Sequence, residues 1–290
     1  MDGRSLLEAF LFIFLDTAMA SSRAPLLFRY PGGKHYAIDI LRPFWEAVLH
    51  EEYREPFAGG GSIFFNKPPA KSSWLNDIDK ELVTTYATIA DPEKRGKLSA
   101  KLTREVASPA RWREVLDSRP QSELGIAFKY FYLNRTSFSG KLVSPAWGYR
   151  PKRSLPPDRW HERIEECGVK LAGVKFTSLD FSEVIKAPSK NRVLLYVDPP
   201  YFLPPKRKHY RHGLDLADHE RLSDCLRKTS HSFFLTYDDA PAIRELYKWA
   251  YIYPVNFIYR VENSATQDGV RRSGFELVIT NFKLKGFENI

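Results

Sequence analysis

Apolar and polar positions along the chain alternate between strand-like and helix-like spacing. Residues 193–197 form a short, unbroken apolar run with β-branched ends, which is typical of a buried parallel strand. The pattern after it predicts helices over 216–228 and 241–249, and strands over 232–236, 252–257 and 275–282. Strands and helices in this alternation indicate an α/β sheet.

Between residues 91 and 133 the apolar spacing is helical instead. Residues 91–106 carry alternating charges, with Leu98 and Leu102 one helical turn apart, and helical patterns continue over 111–116 and 122–133. We therefore expect a helical insertion within the sheet domain.

Composition indicates the size of the core and the charge of a partner. The 290 residues are 43% hydrophobic, enough for one large core or a core with a smaller subdomain. Lys and Arg number 44 against 35 Asp and Glu, a net charge of +9. This excess favours an anionic polymer as partner, although a merely basic protein is the alternative.

Asp198 directly follows the apolar run and is itself followed by Pro199, Pro200 and Tyr201. Open α/β sheets bind ligands at the carboxyl ends of their strands, so this acid is a candidate site residue. The prolines end the strand and leave a carbonyl oxygen facing the cleft. The Asp198 carboxylate and the Pro199 carbonyl can then each accept a hydrogen bond from one NH₂ group, while Tyr201 offers its ring to a flipped base. The alternative is a simple strand-ending turn.

A glycine run, Gly59 to Gly61, lies in the segment 55–62 and precedes an apolar stretch. Glycine lets the backbone approach a ligand closely. The run lacks both the Gly-x-Gly-x-x-Gly pattern and the Lys-Ser or Lys-Thr ending of a phosphate loop, which favours another nucleotide-like ligand over a dinucleotide. Asp77, some twenty residues on, suits a ribose hydroxyl. Capping of the helix over 80–90 by Asp77 or Asp79 is the alternative, and both can hold.

Metal and disulfide chemistry are not indicated. Cys167 and Cys225 are the only cysteines and form no Cys-x-x-Cys spacing, and the histidines show no His-Glu-x-x-His pattern. We expect reduced thiols and no metal.

The N-terminal residues 1–22 are interpreted as an extension. The apolar run 10–15, followed by Ala18-Met19-Ala20, superficially resembles a signal peptide, but the run is short and acids precede it. It is also too short to span a bilayer. We favour a peripheral helix or extension over a signal peptide.

Several motifs resemble those of the Dam-type DNA adenine-N6 methyltransferases and occur in the order found in that family. The matching segments are Arg29-Tyr30-Pro31-Gly32-Gly33-Lys34, Phe57 to Ser62, Asn76-Asp77-Ile78-Asp79, Ser178-Leu179-Asp180-Phe181 and Asp198-Pro199-Pro200-Tyr201. The stretches Tyr132 to Gly140 and Glu276 to Asn281 also resemble, respectively, the family's Asn-Arg segment beside its DNA-recognition hairpin and its closing strand. Each motif is weak alone, but their shared order and spacing are specific.

The resemblance implies a Rossmann-like α/β methyltransferase sheet with an inserted helical target-recognition subdomain and an antiparallel strand at its end. It implies a catalytic and cofactor-binding domain over 23–90 and 167–290, and target recognition over 91–166. The expected cofactor is S-adenosylmethionine, and the expected reaction is direct methyl transfer to adenine N6 of a flipped base in double-stranded DNA. We expect a cytoplasmic monomer without membrane association.

The resemblance also assigns residues to roles. The catalytic residues are Asp198, Pro199, Pro200 and Tyr201. The cofactor-binding residues are Tyr30, Pro31, Gly32, Lys34, Phe57, Gly59, Gly61, Ser62, Asp77, Asp180, Phe181 and Asp198. The DNA-binding residues combine the Asn-Arg segment with two basic clusters: Asn134, Arg135, Lys141, Arg150, Lys152, Arg153, Lys206, Arg207, Lys208 and Arg211.

Alternative functions remain open from the sequence. They are methylation of cytosine N4, methylation of adenine in RNA, and DNA binding by a relative without catalysis. Related cytosine-N4 enzymes usually have serine where this chain has Asp198, which favours adenine. The complete set of motifs favours an active enzyme over a silent relative.

Overall fold

A mixed β-sheet forms the centre of the protein in the computed structural model, which describes residues 23–30, 32–202, 212–258 and 273–285. Within these residues the strands are β1 (Glu52–Glu55), β2 (Ser72–Asn76), β3 (Lys175–Thr177), β4 (Val193–Val197), β5 (Ser232–Asp238), β6 (Tyr251–Ile258) and β7 (Ser273–Thr280). Their order in the sheet is β3-β2-β1-β4-β5-β7-β6. The first five are parallel, and β7 runs antiparallel to both β5 and β6. The expected Rossmann-like α/β sheet with an antiparallel strand at its end is confirmed.

Helices connect the strands and cover both faces of the sheet. In chain order they are α1 (Ile38–Glu46), α2 (Ser62–Asn66), α3 (Lys80–Ala90), α4 (Pro92–Thr103), α5 (Pro109–Asp117), α6 (Glu123–Thr136), α7 (Trp160–Leu171), α8 (Phe181–Lys186), α9 (Leu216–Lys228) and α10 (Pro241–Leu246). Short 3₁₀ turns lie at Lys34–Ala37, Phe138–Gly140 and Pro157–Arg159.

β4 occupies the middle of the sheet, which explains its unbroken apolar sequence. All five of its residues are buried. Leu194 and Tyr196 join the apolar cluster on one face, whereas Leu195 and Val197 join the cluster on the other. Because successive side chains of a strand point to opposite faces, a strand covered by helices on both sides has no polar position.

The predicted elements after β4 agree with the structure, with differences at their ends. The helix over 216–228 and the strand over 193–197 have the predicted bounds. The helix predicted over 241–249 ends at Leu246, because the backbone leaves helical geometry at Tyr247 (φ −110°, ψ 17°) and turns into β6. β6 extends one residue beyond the predicted strand at each end, and β7 begins and ends two residues before the predicted strand.

The helical insertion shares its core with the sheet. Leu98 of α4, Trp112 of α5 and Phe131 of α6 belong to the same buried cluster as Leu194 of β4. The expected boundary between residues 166 and 167 falls inside α7, which is continuous from Trp160 to Leu171. The helices are therefore confirmed, and their role in target recognition stays a prediction.

No helix among the described residues is long and apolar enough to cross a membrane. The extension 1–22 lies outside the described residues.

Candidate active site

The glycine turn links β1 to α2 at the carboxyl edge of the sheet. Gly59 and Gly61 have φ angles of +47° and +64°, in the left-handed region that disfavours other residues. A Cβ on Gly60 would lie 2.9 Å from the Cβ of Tyr30. Tyr86 donates a hydrogen bond of 2.8 Å from its hydroxyl to the Gly59 carbonyl oxygen. The turn is thus fixed in a shape that leaves its backbone open to a ligand.

Asp77 holds the same turn from the end of β2. Its Oδ2 accepts a hydrogen bond of 2.9 Å from the Gly59 N–H, and its Oδ1 accepts one of 2.9 Å from the Asp79 N–H. Burial raises the pKa of the Asp77 carboxyl to about 6. Asp79 caps α3 by accepting from the N–H groups of Glu81 and Leu82. Asp79 is therefore the residue that caps the helix, and the Asp77 carboxylate takes no part in capping.

Asp180 and Phe181 lie at the start of α8, where Asp180 is the N-cap in a capping box with Glu183. Arg221 of α9 donates to both Asp180 oxygens, at 2.6 and 3.0 Å. This pairing is the main reason that the pKa of the Asp180 carboxyl is lowered to about 2. The Arg221 guanidinium also lies 4.2 Å from the ring centroid of Phe181, whose ring packs 5.4 Å from that of Phe57.

Asp198 follows β4 as predicted and is held by two donors. The ammonium of Lys34 lies 2.7 Å from Asp198 Oδ1, and the Thr236 hydroxyl on β5 donates to the same oxygen at 2.6 Å. The Lys34 side chain is 1% exposed and that of Asp198 is 18% exposed. A buried ammonium in contact with a carboxylate of the cleft fixes both side chains.

Tyr201 packs beside this ion pair. Its ring centroid lies 4.8 Å from the Lys34 ammonium. Burial, followed by the charge of Asp198, raises the pKa of Tyr201 well above its usual value, so the phenol stays protonated.

One cavity of about 310 Å³ joins these groups. Its lining runs from the glycine turn and Asp77, past Asp180 and Phe181, to Asp198. The predicted site residues that line it are Tyr30, Gly32, Lys34, Phe57, Gly59, Gly61, Ser62, Asp77, Asp180, Phe181, Asp198 and Pro200. Pro199 is buried and Tyr201 half-buried beside it, and Pro31 lies outside the described residues.

Three polar residues of the site were missed from the sequence. Glu55, at the end of β1, is buried under the glycine turn and accepts from the Tyr53 hydroxyl at 2.7 Å and the Phe64 N–H at 2.9 Å. Arg221 and Glu276 come from elements far along the chain. Glu55 precedes the glycine motif and could have been singled out; the other two have no local signal.

Asn134 is buried and Arg135 half-buried, and both side chains bond to backbone groups of the protein, which disfavours their assignment to DNA binding. Asn134 is 1% exposed; its amide accepts from the Arg29 N–H and donates to the carbonyl oxygens of Arg29 and Gly140. Arg135 donates to the carbonyl oxygens of Leu26 and Leu27, and burial lowers its pKa to about 9. These residues fasten the segment before Tyr30 to the end of α6.

One of the two predicted basic clusters, at residues 141–153, lies at the protein surface, as contact with DNA requires. Arg150, Lys152 and Arg153 are exposed and Lys141 is half-buried, near the paired rings of Trp147 and Tyr149. The other predicted DNA contacts, Lys206, Arg207, Lys208 and Arg211, lie outside the described residues.

A family model for D12 class N6 adenine-specific DNA methyltransferases matches residues 30–261, a span that contains the glycine turn, the insertion and Asp198. The chain belongs to this family. The segment matched by the D12 family model contains every residue that lines the cavity.

Similar proteins carry related names at modest identity. The chain is 25% identical over 281 residues to the type II methyltransferase M1.LlaDCHI of Lactococcus lactis subsp. cremoris, covering 88% of this chain and 94% of that protein. It is 23% identical to the type II methyltransferase M.CviBI of Paramecium bursaria Chlorella virus NC1A, covering 88% and 98%. It is also 23% identical to a DNA adenine methylase of Vibrio cholerae, covering 88% and 94%.

Among the described residues of this D12 family member, no group of three or more His, Cys, Asp or Glu side chains is placed to hold a metal ion.

Proposed function

We propose that this chain transfers a methyl group from S-adenosylmethionine to the N6 amine of adenine in double-stranded DNA. The observation that carries the proposal is the cavity that joins the glycine turn and Asp77 to Asp198. A nucleotide-like cofactor at one end and a carboxylate at the other are the two parts that amine methylation needs. Membership of the D12 family supports adenine and DNA.

The residues of the cavity fit the cofactor part by part. Asp77 has an oxygen lone pair left for a ribose hydroxyl, since a carboxylate accepts about four hydrogen bonds and two are described. We assign Phe181, with Asp180, to the adenine ring, and the glycine turn, which has no room for a Cβ, to the amino-acid part. Tyr30 and Lys34 border the turn from the other side. When bound, the cofactor supplies an electrophilic methyl group on a sulfonium.

Asp198 serves the target amine. Both described hydrogen bonds to Asp198 end on Oδ1, and we assign Oδ2 and the Pro199 carbonyl oxygen to the two N–H bonds of the amine. Accepting both hydrogens localises the nitrogen lone pair toward the cofactor, and the carboxylate stabilises the positive charge that develops on nitrogen. Holding both reactants in line contributes up to about 7 to 11 kcal/mol in the best cases.

The adenine has to leave the duplex to enter such a cavity, because its N6 atom is paired and stacked in B-DNA. Tyr201 offers an aromatic ring beside Asp198 for the extruded base. We assign the insertion over 91–166 to target recognition and the exposed cations Arg150, Lys152 and Arg153 to phosphate contacts.

Substitution of Asp198 tests the catalytic assignment. We expect Asp198→Ala to bind S-adenosylhomocysteine and duplex DNA with affinities close to those of the wild type, and to lose at least about a hundredfold in single-turnover methyl transfer. Asp239→Asn is the matched control: Asp239 is also an acid at the end of a strand, but it pairs with Arg244 and is not among the residues lining the cavity. Transfer by Asp198→Ala at the rate of the control would refute the role of Asp198.

A further inference from the structure

Glu276 is a buried acid behind the Asp198 site. It lies on β7, in register with Asp238 of β5, and is 1% exposed. It does not line the cavity, so the cofactor and substrate assignments above do not use it. A carboxylate at this depth loses its hydration and is retained in a fold when charged or hydrogen-bonding partners surround it.

The partners of Glu276 are parts of the proposed active site. Its Oε2 lies 3.9 Å from the Lys34 ammonium, the same ammonium that contacts Asp198 Oδ1 at 2.7 Å. The ring of Tyr201 packs beside the same ammonium, which lies 4.8 Å from the ring centroid. Tyr36 adds a second hydroxyl, which donates to Oε1 at 3.3 Å.

The charges of this cluster decide what Asp198 can offer to an amine. A single ammonium paired with a single carboxylate forms a neutral unit, whose carboxylate is a weak acceptor for a third group. With Glu276 present, one ammonium lies between two carboxylates, and the buried cluster keeps an excess negative charge. That charge acts across a region of low polarity, where electrostatic effects are stronger than in water.

Lys34 also connects Glu276 to the aromatic ring of the site. The ammonium that Asp198 and Glu276 share lies 4.8 Å from the centroid of the Tyr201 ring, which we assign to the extruded base. The two acids therefore set the position of the cation beside that ring.

We propose that Glu276 is a positioning residue for methyl transfer: it shares the Lys34 ammonium with Asp198, so that the Asp198 carboxylate keeps its charge for the target amine. This inference rests on the proposed function. It extends the site to β7, beyond the segment that the family model matches.

Glu276→Gln is the decisive variant, because glutamine keeps the shape and an oxygen to accept from Tyr36 but removes the charge. We expect kcat to fall by about tenfold or more, with the affinity for S-adenosylhomocysteine, the KM for DNA and the unfolding temperature close to wild type. Tyr36→Phe is the matched control; it removes the hydrogen bond to Glu276 Oε1 and keeps Lys34 and both carboxylates, and we expect its kcat within about twofold of wild type.

Glu276→Asp tests the same contact through its distance, because it keeps the charge but withdraws the carboxylate from Lys34 by one methylene group. We expect its kcat to lie between those of the wild type and Glu276→Gln, with the affinity for S-adenosylhomocysteine unchanged. If Glu276→Gln does not fold, the Glu276→Asp result decides alone: a wild-type kcat overturns the inference.

The outcomes separate this inference from the proposed function. A wild-type chain that binds S-adenosylhomocysteine but transfers no methyl group to DNA refutes the function, and the inference with it. An active wild type with Glu276→Gln at full kcat, or with kcat and cofactor affinity lowered in equal measure, overturns the inference alone.

Discussion

Glu55 makes the stability of the protein depend on pH in a way that one substitution can isolate. The carboxyl is fully buried at the end of β1, below the glycine turn, and burial raises its pKa from 4.5 to about 8. Hydrogen bonds from Tyr53 and Phe64 oppose this shift and the charge of Asp198 adds to it. We therefore expect the folded protein to hold a proton on Glu55 at neutral pH.

The pKa of Glu55 differs between the folded and unfolded chains, and this difference sets the sign and the size of the pH dependence of stability. Between pH 4.5 and about 8 the folded chain binds a proton on Glu55 that the unfolded chain has released, so the free energy of unfolding falls as pH rises. The stabilisation is complete below pH 4.5 and is lost as pH rises through the folded pKa. The whole window corresponds to about 5 kcal/mol, of which about 2 kcal/mol falls between pH 6 and pH 8.

Glu55→Gln removes this titration and keeps an oxygen to accept from Tyr53 and Phe64. Urea unfolding of both proteins at pH 6, 7 and 8 gives the two stability profiles, and groups common to both cancel in their difference. We expect the free energy of unfolding of Glu55→Gln relative to wild type to rise by about 2 kcal/mol from pH 6 to pH 8. Glu51→Gln, at a half-buried acid whose pKa is lowered by Lys71, should show no such rise. Parallel profiles for Glu55→Gln and wild type would refute a proton on Glu55.

Two further predictions separate buried from exposed residues of the insertion. Asn134→Ala removes a buried amide bonded to Arg29 and Gly140, and we expect it to lower the free energy of unfolding by roughly 2 to 3 kcal/mol in urea titrations; a change below measurement error would contradict the structural role. The double substitution of Lys152 and Arg153 by alanine should weaken duplex binding and reduce the slope of log affinity against log salt by about 2, with S-adenosylhomocysteine affinity kept. An unchanged slope would exclude phosphate contacts by these two side chains.

The elements whose signals are local could be predicted from the sequence. β4 was predicted with its bounds, because an unbroken apolar run with β-branched ends and two following prolines has few other solutions. The placement of Asp198 at the edge of the sheet followed from it. The glycine run predicted a turn whose backbone approaches a ligand. Gly59 and Gly61 have left-handed φ angles in that turn, a geometry that favours glycine.

The residues that depend on distant partners could not be predicted. Lys34 and Asp198 are 164 residues apart in sequence, and Arg221 and Asp180 are 41 apart, so their pairing depends on the order of strands in the sheet. The burial of Asn134 could not be predicted for the same reason. Its amide is a good surface contact by type, but the fold places the backbone of Arg29 against it.

Nucleoside analysis of methylated DNA tests the central claim most directly. Wild-type protein is incubated with duplex DNA and S-adenosylmethionine labelled in its methyl group, and the DNA is then digested to nucleosides and separated. The cavity that joins Asp77 to Asp198 predicts label in N6-methyladenine, and none when Asp198→Ala replaces the wild type. Label in N4-methylcytosine, label only when RNA replaces the duplex, or cofactor binding without any transfer would contradict the account.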